Sequence, residues 1–205
     1  MRCSVIRITK EPIKTRQQRV CFRASAYQFL LSEIHAVFPY VPAENHDAVE
    51  SQMISSAEAG SQDLVILPFL KDDLGKPFLP GYPEILFNLS HSRNGFAAAI
   101  VAARSETDAV GIDIEIRFPY RAAFARKICH ADELRALAQS ESEERKQAIL
   151  NLIWSRKEAI LKCEGRGIRS DLSKINTFCV DPSRYRIAER QTEDYTLVTC
   201  VRISQ

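Results

Sequence analysis

The sequence lacks a Cys-x-x-Cys pair, an apolar run of membrane-spanning length and a large net charge. Its six cysteines are scattered through 205 residues, without the spacings that zinc sites and redox dithiols use. The formal charge of +2 is too small to indicate nucleic acid or a membrane surface as a partner. The first eight residues lack the apolar core of a signal peptide. These absences predict a cytoplasmic protein whose cysteines are reduced and mostly lie in the core.

The composition is that of a globular protein with room for one domain or two small halves. Of its residues, 45% are apolar and 26% are charged, which is ordinary for a folded soluble chain. The most polar connection in mid-chain is 104–108. We therefore predict an N-terminal half over 1–104 and a C-terminal half over 105–205.

Apolar periodicity predicts two long helices, one over about 15–38 that ends before Pro39 and one over 142–164 with one buried face, followed by Gly165. Shorter helices are predicted over 120–129 and 132–139. Strands are predicted over 5–8, 63–70, 85–92, 95–103, 110–116, 175–180, 184–190 and 195–203, the last two as a hairpin. This order predicts an α+β fold with helices packed on antiparallel sheets.

The segment 110–116 alternates strictly between apolar and other residues. A strand of period two places Gly111, Asp113 and Glu115 on one face. Two carboxylates so placed could converge on a hard cation such as Mg²⁺, with the glycine keeping the approach open. The alternative is the polar face of a half-exposed strand. Like charges on one face repel unless they are neutralised, which argues against that alternative.

Two further groups have both a structural and a functional interpretation. Glu158 and Lys162 are four residues apart and share a helix face, as in many solvated ion pairs. Ser90 and His91 lie where a strand gives way to a turn. Because adjacent strand residues point to opposite faces, they cannot form a nucleophile–base pair. The histidine is either structural or a hydrogen-bond donor to phosphate.

Basic residues crowd the first half of the N-terminal long helix. They are Lys14, Arg16, Arg19 and Arg23. They form either a solvated face or an anion-binding cluster, since guanidinium groups suit phosphate.

Four motifs, taken in order, resemble the 4′-phosphopantetheinyl transferases of the larger, Sfp-like (surfactin-synthetase-activating) type. They are Gly75-Lys76-Pro77-Phe78, Phe87-Asn88-Leu89-Ser90-His91-Ser92, Val110-Gly111-Ile112-Asp113-Ile114-Glu115, and Trp154-Ser155-Arg156-Lys157-Glu158-Ala159-Ile160-Leu161-Lys162 with Gly165-Arg166-Gly167 after it. Their order and spacing match over about residues 65–170. One motif alone would be weak evidence, whereas four in order are strong.

The resemblance implies two similar α+β halves that form an intramolecular pseudo-dimer, with coenzyme A in the cleft between them. It implies Mg²⁺-dependent transfer of 4′-phosphopantetheine from coenzyme A to a serine of an acyl or peptidyl carrier protein, releasing 3′,5′-ADP. The carrier would belong to fatty acid, polyketide or peptide synthesis. An internal pseudo-dimer makes a monomer the expected state.

The resemblance also implies roles for individual residues. Asp113, Glu115 and Glu158 would hold Mg²⁺. On physical grounds, Glu158 is the best candidate to accept the serine proton, directly or through a metal-bound water, because it comes from a different element than the other two acids; it is then a ligand, a base or both. Lys162 would stabilise or protonate the leaving group, and His91 would also be catalytic. The contacts to coenzyme A phosphates would come from Lys76, Pro77, Ser90, His91 and Lys162. Such donors stabilise the charge that builds up during phosphoryl transfer.

The chain departs from the family pattern in its N-terminal half. Relatives usually carry a basic run and then an arginine in the following helix, which together hold the 3′-phosphate of coenzyme A. Here Ala26-Tyr27-Gln28-Phe29 lies at the place of that arginine. Arg16 and Arg19 are therefore the expected 3′-phosphate contacts.

A mixed basic and aromatic segment follows the acidic strand, where the family places its carrier-protein contact. Its candidate docking residues are Arg117, Arg121, Phe124 and Arg126. A cationic rim with an apolar centre suits an acidic carrier. The alternative is an ordinary amphipathic segment.

Two other functions remain open. One is a non-catalytic module that binds a carrier protein or coenzyme A; the complete set of acidic and basic site residues argues against it. The other is a Mg²⁺-dependent phosphodiesterase or nuclease. The modest charge and the absence of an aromatic-basic strip argue against nucleic acid.

Overall fold

The computed structural model describes residues 1–10, 13–41, 69–73, 75–93, 95–166 and 171–204. The chain divides into two compact units, Met1–Glu106 and Thr107–Gln205. Most of the strand predicted over 63–70, most of the polar segment 41–62 and Gly167 of the last motif lie outside the described residues. Among the described residues, no helix is both long and apolar enough to cross a membrane.

The first unit is a three-stranded antiparallel sheet with one long helix. Its elements are β1 (Arg2–Arg7), α1 (Arg16–Val37), β2 (Leu70–Lys71), β3 (Pro77–Phe78), β4 (Ile85–His91) and β5 (Phe96–Ala103). The sheet order is β1-β5-β4, and β2 and β3 pair separately. The Oγ1 atom of Thr15 caps α1 by accepting from the Gln18 amide at 3.1 Å. The buried side of α1 packs against β4 and β5. The helix predicted over 15–38 and the strands predicted over 5–8, 85–92 and 95–103 are confirmed.

The second unit has a three-stranded antiparallel sheet and three helices among its described residues. Its elements are β6 (Ala109–Ile116), α2 (Ala122–Ile128), α3 (Ala131–Ala138), α4 (Glu143–Glu164), a 3₁₀ turn (Leu172–Lys174), β7 (Tyr185–Gln191) and β8 (Tyr195–Arg202). The sheet order is β6-β8-β7, and β7 and β8 form the predicted hairpin. The α+β class is therefore confirmed.

The prediction of a strand over 175–180 is wrong. That segment consists of turns that are tied to α3 by side-chain carboxylates. Asn176 Nδ2 donates to Asp132 Oδ2 at 2.6 Å. The Thr177 amide and hydroxyl donate to Glu133 Oε1 at 2.8 and 2.7 Å. Because these polar groups are satisfied by side chains, the segment has no need of a strand partner.

Helix α4 is buried on two sides, whereas its sequence predicted one buried face. On one side Ala159 and Cys163 pack with Val198 and Cys200 of β8. On the other side residues of α4 pack with α2 and α3 in a second core cluster, which contains Leu150, Ile153, Ala125, Ile128 and Leu137. The helix therefore forms the middle layer of this unit.

Lys157 is completely buried, although its sequence context indicated a polar surface residue. Its Nζ lies 2.7 Å from Glu133 Oε2. It also donates to the carbonyl oxygens of Leu172 at 2.8 Å and Ile175 at 2.5 Å. The His130 amide donates to the same glutamate at 2.8 Å. A buried ion pair is tolerated when its remaining hydrogen bonds are made, and these bonds tie α3, α4 and the 172–177 segment together.

Only three of the six cysteines lie in the core. Cys129, Cys163 and Cys200 are buried, whereas Cys3 and Cys179 are exposed and Cys21 is half-buried; all six are free thiols. The expectation that most of them lie in the core is therefore wrong.

Gly111 lies where the backbone of α4 comes closest to β6. A Cβ atom at this position would overlap the carbonyl oxygen of Ala159 and the amide nitrogen of Cys163, and would lie 2.9 Å from the Cα of Cys163. The sequence interpretation that this glycine keeps an approach open for a ligand is wrong, because the helix itself fills that space.

We expect Gly111→Ala to destabilise the protein by about 1–3 kcal/mol, the usual cost of overpacking a core against backbone atoms. The measurement is urea unfolding followed by circular dichroism. Gly165→Ala is the control, since Gly165 has a φ of +69° but no atom within 4 Å of the added Cβ. If Gly111→Ala costs no more than the control, the close approach is not a constraint on the fold.

Candidate active site

The close packing of α4 on β6 brings two sequence-distant groups together. Asp113 is 4% exposed on the strand face that α4 covers. Lys162, from the last turn of α4, places its Nζ 2.8 Å from Asp113 Oδ1. The lysine side chain is 28% exposed, so the ammonium group reaches the surface while it neutralises a buried carboxylate.

Glu158, one turn before Lys162, is 5% exposed, so the interpretation of these two residues as a solvated pair is wrong. Burial raises the pKa of Glu158 to about 7; the Lys162 charge opposes this shift and the Asp113 charge adds to it. Its Oε1 is buried and has no hydrogen-bond partner among the described residues. A carboxyl group in this state exchanges its proton near neutral pH, as a general base requires.

The structure assembles only part of the predicted metal site. Within the part of the chain that is described, no three His, Cys, Asp or Glu side chains are grouped closely enough to hold a metal ion. Asp113 and Glu158 share Lys162 as a neighbour, while Glu115 is half-buried further along β6. Oxygen ligands of this kind suit Mg²⁺. The Asp113 charge raises the pKa of the buried Glu158 carboxyl, and a cation would relieve this repulsion, so the residues are compatible with a metal bound by two acids.

A cationic cavity of about 480 Å³ lies in the first unit, at the start of α1 and the end of β4. Its lining residues are Ile13, Lys14, Arg19, Phe22, Arg23, His91, Ser92 and Arg93. The His91 ring packs edge-on against Phe22, with the ring centroids 5.5 Å apart. Four cationic side chains around one cavity suit an anion with several oxygens.

The other phosphate contacts predicted in the first unit are not among the described lining residues of this cavity. Arg16 is exposed and is not among the described lining residues, although the sequence favoured it. Ser90 is buried, whereas His91 is exposed, as expected for neighbours on a strand. Lys76 and Pro77 lie at the β2–β3 turn, where the Lys76 amide donates to Asp72 Oδ1 at 2.8 Å.

The predicted docking segment has an exposed basic side. Arg117, Arg121 and Arg126 are exposed, and α2 carries no acidic residue in its first turn. Phe124 is half-buried, and its ring packs against Trp154 at a centroid distance of 5.3 Å. This phenylalanine therefore belongs to the core beneath the basic residues as much as to the surface.

Sequence reasoning missed Arg93 and the buried pair of Glu133 and Lys157. The arginine could have been found, since it directly follows Ser90-His91-Ser92. The buried pair had no sequence signal, because its partners are 24 positions apart and meet only when α3 packs on α4.

Comparison with known proteins gives consistent results. Residues 109–202 match the family model of the 4′-phosphopantetheinyl transferase superfamily. The chain is 40% identical over 101 residues to the 4′-phosphopantetheinyl transferase psf-1 of Bacillus pumilus, covering 49% of this chain and 41% of that protein. It is 30% identical over 108 residues to the 4′-phosphopantetheinyl transferase Sfp of Bacillus subtilis, covering 53% and 46%. It is 32% identical over 129 residues to the 4′-phosphopantetheinyl transferase AcpT of Salmonella typhi, covering 62% of each. The chain thus spans about half the length of the curated relatives it matches.

The raised pKa of Glu158 predicts a pH dependence of stability. Its folded pKa of about 7 lies above the ordinary 4.5, so between these values the folded state holds a proton that the unfolded chain has lost. The contribution of this group to stability is therefore greatest at low pH and falls as the pH rises to about 7, by roughly 3 kcal/mol.

Urea unfolding of the wild type and Glu158→Gln, in EDTA at pH 5 to 8, measures this effect. The stability of the wild type relative to the variant should fall as the pH rises, while the denaturant slopes stay equal. A difference that does not change with pH would contradict the burial argument.

Proposed function

We propose that this chain, whose residues 109–202 match the family model of the 4′-phosphopantetheinyl transferase superfamily, is itself a phosphopantetheinyl transferase. It would transfer 4′-phosphopantetheine from coenzyme A to a serine of an acyl or peptidyl carrier protein and release 3′,5′-ADP. The observation that carries this proposal is the convergence of Asp113, Glu158 and Lys162 in the matched unit. A cytoplasmic, monomeric enzyme remains a prediction from the sequence.

Asp113 and Glu158 would hold Mg²⁺, with Glu115 available on the same strand face. The ion would supply charge neutralisation at the pyrophosphate oxygens of coenzyme A. Oxygen-only ligands and two carboxylates in one partly desolvated site support this assignment.

Glu158 is the proposed general base. The serine hydroxyl gives its proton to the Glu158 carboxylate as its oxygen bonds to the phosphorus next to pantetheine. The bond from that phosphorus to the bridging oxygen breaks, and the electron pair leaves with 3′,5′-ADP. Lys162 would stabilise this leaving group; its partly exposed ammonium group beside the two acids supports this role.

The cationic cavity of the first unit is the proposed site for phosphate groups of coenzyme A. We assign the contacts to Lys14, Arg19, Arg23 and Arg93, with His91 as an additional donor. Arg23 and Arg93 would take the place of the arginine that the α1 sequence lacks. Guanidinium groups bind phosphate oxygens in pairs, which supports their role here.

The test of the function is incubation of the full chain with coenzyme A, MgCl₂ and an apo carrier protein, followed by intact mass spectrometry. The carrier should gain one phosphopantetheine group. Glu158→Gln should lower kcat by about 10²–10⁴-fold, the usual contribution of a general base. The control is Glu164→Gln in the same helix, whose carboxylate accepts from the Tyr185 hydroxyl at 2.7 Å, and it should keep near-wild-type turnover. A carrier that gains no mass with the wild type would overturn the proposal.

The basic side of the docking segment predicts a separate effect on the carrier protein. Charge reversal at Arg121 and Arg126 should raise the KM for an acidic carrier by about tenfold or more at low salt, because complementary charges steer association. The KM for coenzyme A should stay nearly unchanged. Steady-state kinetics with each substrate varied in turn measure both constants.

Charge reversal at Arg186 and Arg190 is the matched control, since both arginines are exposed on β7. It changes the net charge equally and should leave both constants close to wild type. Equal loss for carrier and coenzyme A in the Arg121 and Arg126 variant would refute the docking site.

A further inference from the structure

The layer between α4 and the sheet contains two buried hydroxyl groups whose bonding is unexplained. Ser155 and Thr196 are both 0% exposed. Their hydroxyl oxygens have no hydrogen-bond partner among the described residues, and the same is true of Glu158 Oε1. A buried polar group without a partner is unfavourable, so native proteins satisfy nearly all of them with protein groups or ordered water.

Ser155 lies on the same side of α4 as the candidate base. It is three positions before Glu158, and residues at this spacing are neighbours on a helix surface. Ala159 and Cys163, on the same side, pack against β8. The serine hydroxyl therefore lies one turn from Glu158 in the layer between helix and sheet.

Thr196 faces the same layer from β8. It stands opposite Glu115 in the register of β6 and β8, and directly opposed residues point to the same face of a sheet. Val198, two positions further on, packs against α4. Because alternate strand residues share a face, the threonine hydroxyl also points towards α4.

We propose that Ser155 and Thr196 are positioning residues for Glu158, joined to its Oε1 by ordered water within this layer. A buried water typically makes about three hydrogen bonds, and two hydroxyl groups with one carboxylate oxygen provide three partners. The network fixes the orientation of the carboxylate and leaves its other oxygen to face the ion and the serine hydroxyl. This inference rests on the proposed function.

The alternative is that neither hydroxyl group is linked to Glu158. In that case, replacing the threonine hydroxyl by a methyl group only removes an unsatisfied buried group and should leave turnover unchanged. Steady-state kinetics of Ser155→Ala and Thr196→Val distinguish the two cases. We expect kcat to fall by about tenfold or more, as for loss of orientation, with the KM for coenzyme A and for carrier changed by less than about twofold.

Two further variants control for shape and for strand position. Thr196→Ser keeps the hydroxyl and should recover most of the turnover that Thr196→Val loses. Thr199→Val removes a β8 hydroxyl that already bonds to the Ala188 carbonyl at 3.3 Å, and it should keep wild-type turnover. Wild-type turnover in Ser155→Ala and Thr196→Val, or equal loss in Thr196→Ser and Thr196→Val, would overturn the inference.

A stability cycle tests the network without measuring activity. The urea midpoints of wild type, Thr196→Val, Glu158→Leu and the double variant are compared in EDTA. If water joins the two side chains, the midpoint shift caused by Thr196→Val should differ between the two Glu158 backgrounds. Additive shifts would overturn the inference. A wild type that modifies no carrier would instead overturn the proposed function, while this cycle would still report on the network.

Discussion

The contact between the backbone of α4 and Gly111 of β6 is the constraint on which the candidate active site depends. Without a Cβ at this position, the helix approaches the strand closely enough to cover Asp113. The same contact buries Glu158 and brings Lys162 to the strand carboxylate. Burial then raises the pKa of Glu158 towards neutrality. The absence of a side chain at Gly111 thus allows the close packing that buries Glu158 and raises its pKa.

The buried charged residues on the two sides of α4 differ in how fully they are hydrogen-bonded. On the side of α3, Lys157 and Glu133 satisfy each other and use several backbone and hydroxyl groups besides, so this network serves stability. On the side of the sheet, the buried Oε1 of Glu158 has no hydrogen-bond partner among the residues that the structure describes. Burial raises the pKa of this carboxyl, so its protonation state can change near neutral pH. Hydrogen bonds and an ion pair therefore hold one side of α4 in place, and the other side carries the candidate base.

The two units contribute different electrostatics to the proposed reaction. The second unit, which contains the family match, carries the acids and Lys162. The first unit lies outside that match and gathers four cationic side chains around one cavity. A substrate with phosphate groups needs cations for binding, and proton transfer needs a carboxylate of raised pKa. In the proposed function, the first unit would meet the first requirement and the second unit would meet the second.

The sequence alone determined the α+β class, the two long helices and the β7–β8 hairpin, and it predicted Asp113, Glu158 and Lys162 as site residues, which the structure brings together. These features depend on local periodicity and on motifs with fixed spacing, which are present in the chain before it folds. Only the tertiary structure decided that Lys157 is buried and that residues 175–180 form turns. It also decided that Arg93 rather than Arg16 lines the cationic cavity, and that the backbone of α4 packs directly against Gly111. Each of these depends on which distant elements pack together, and desolvation by that packing, not residue type, sets the chemistry of Glu158.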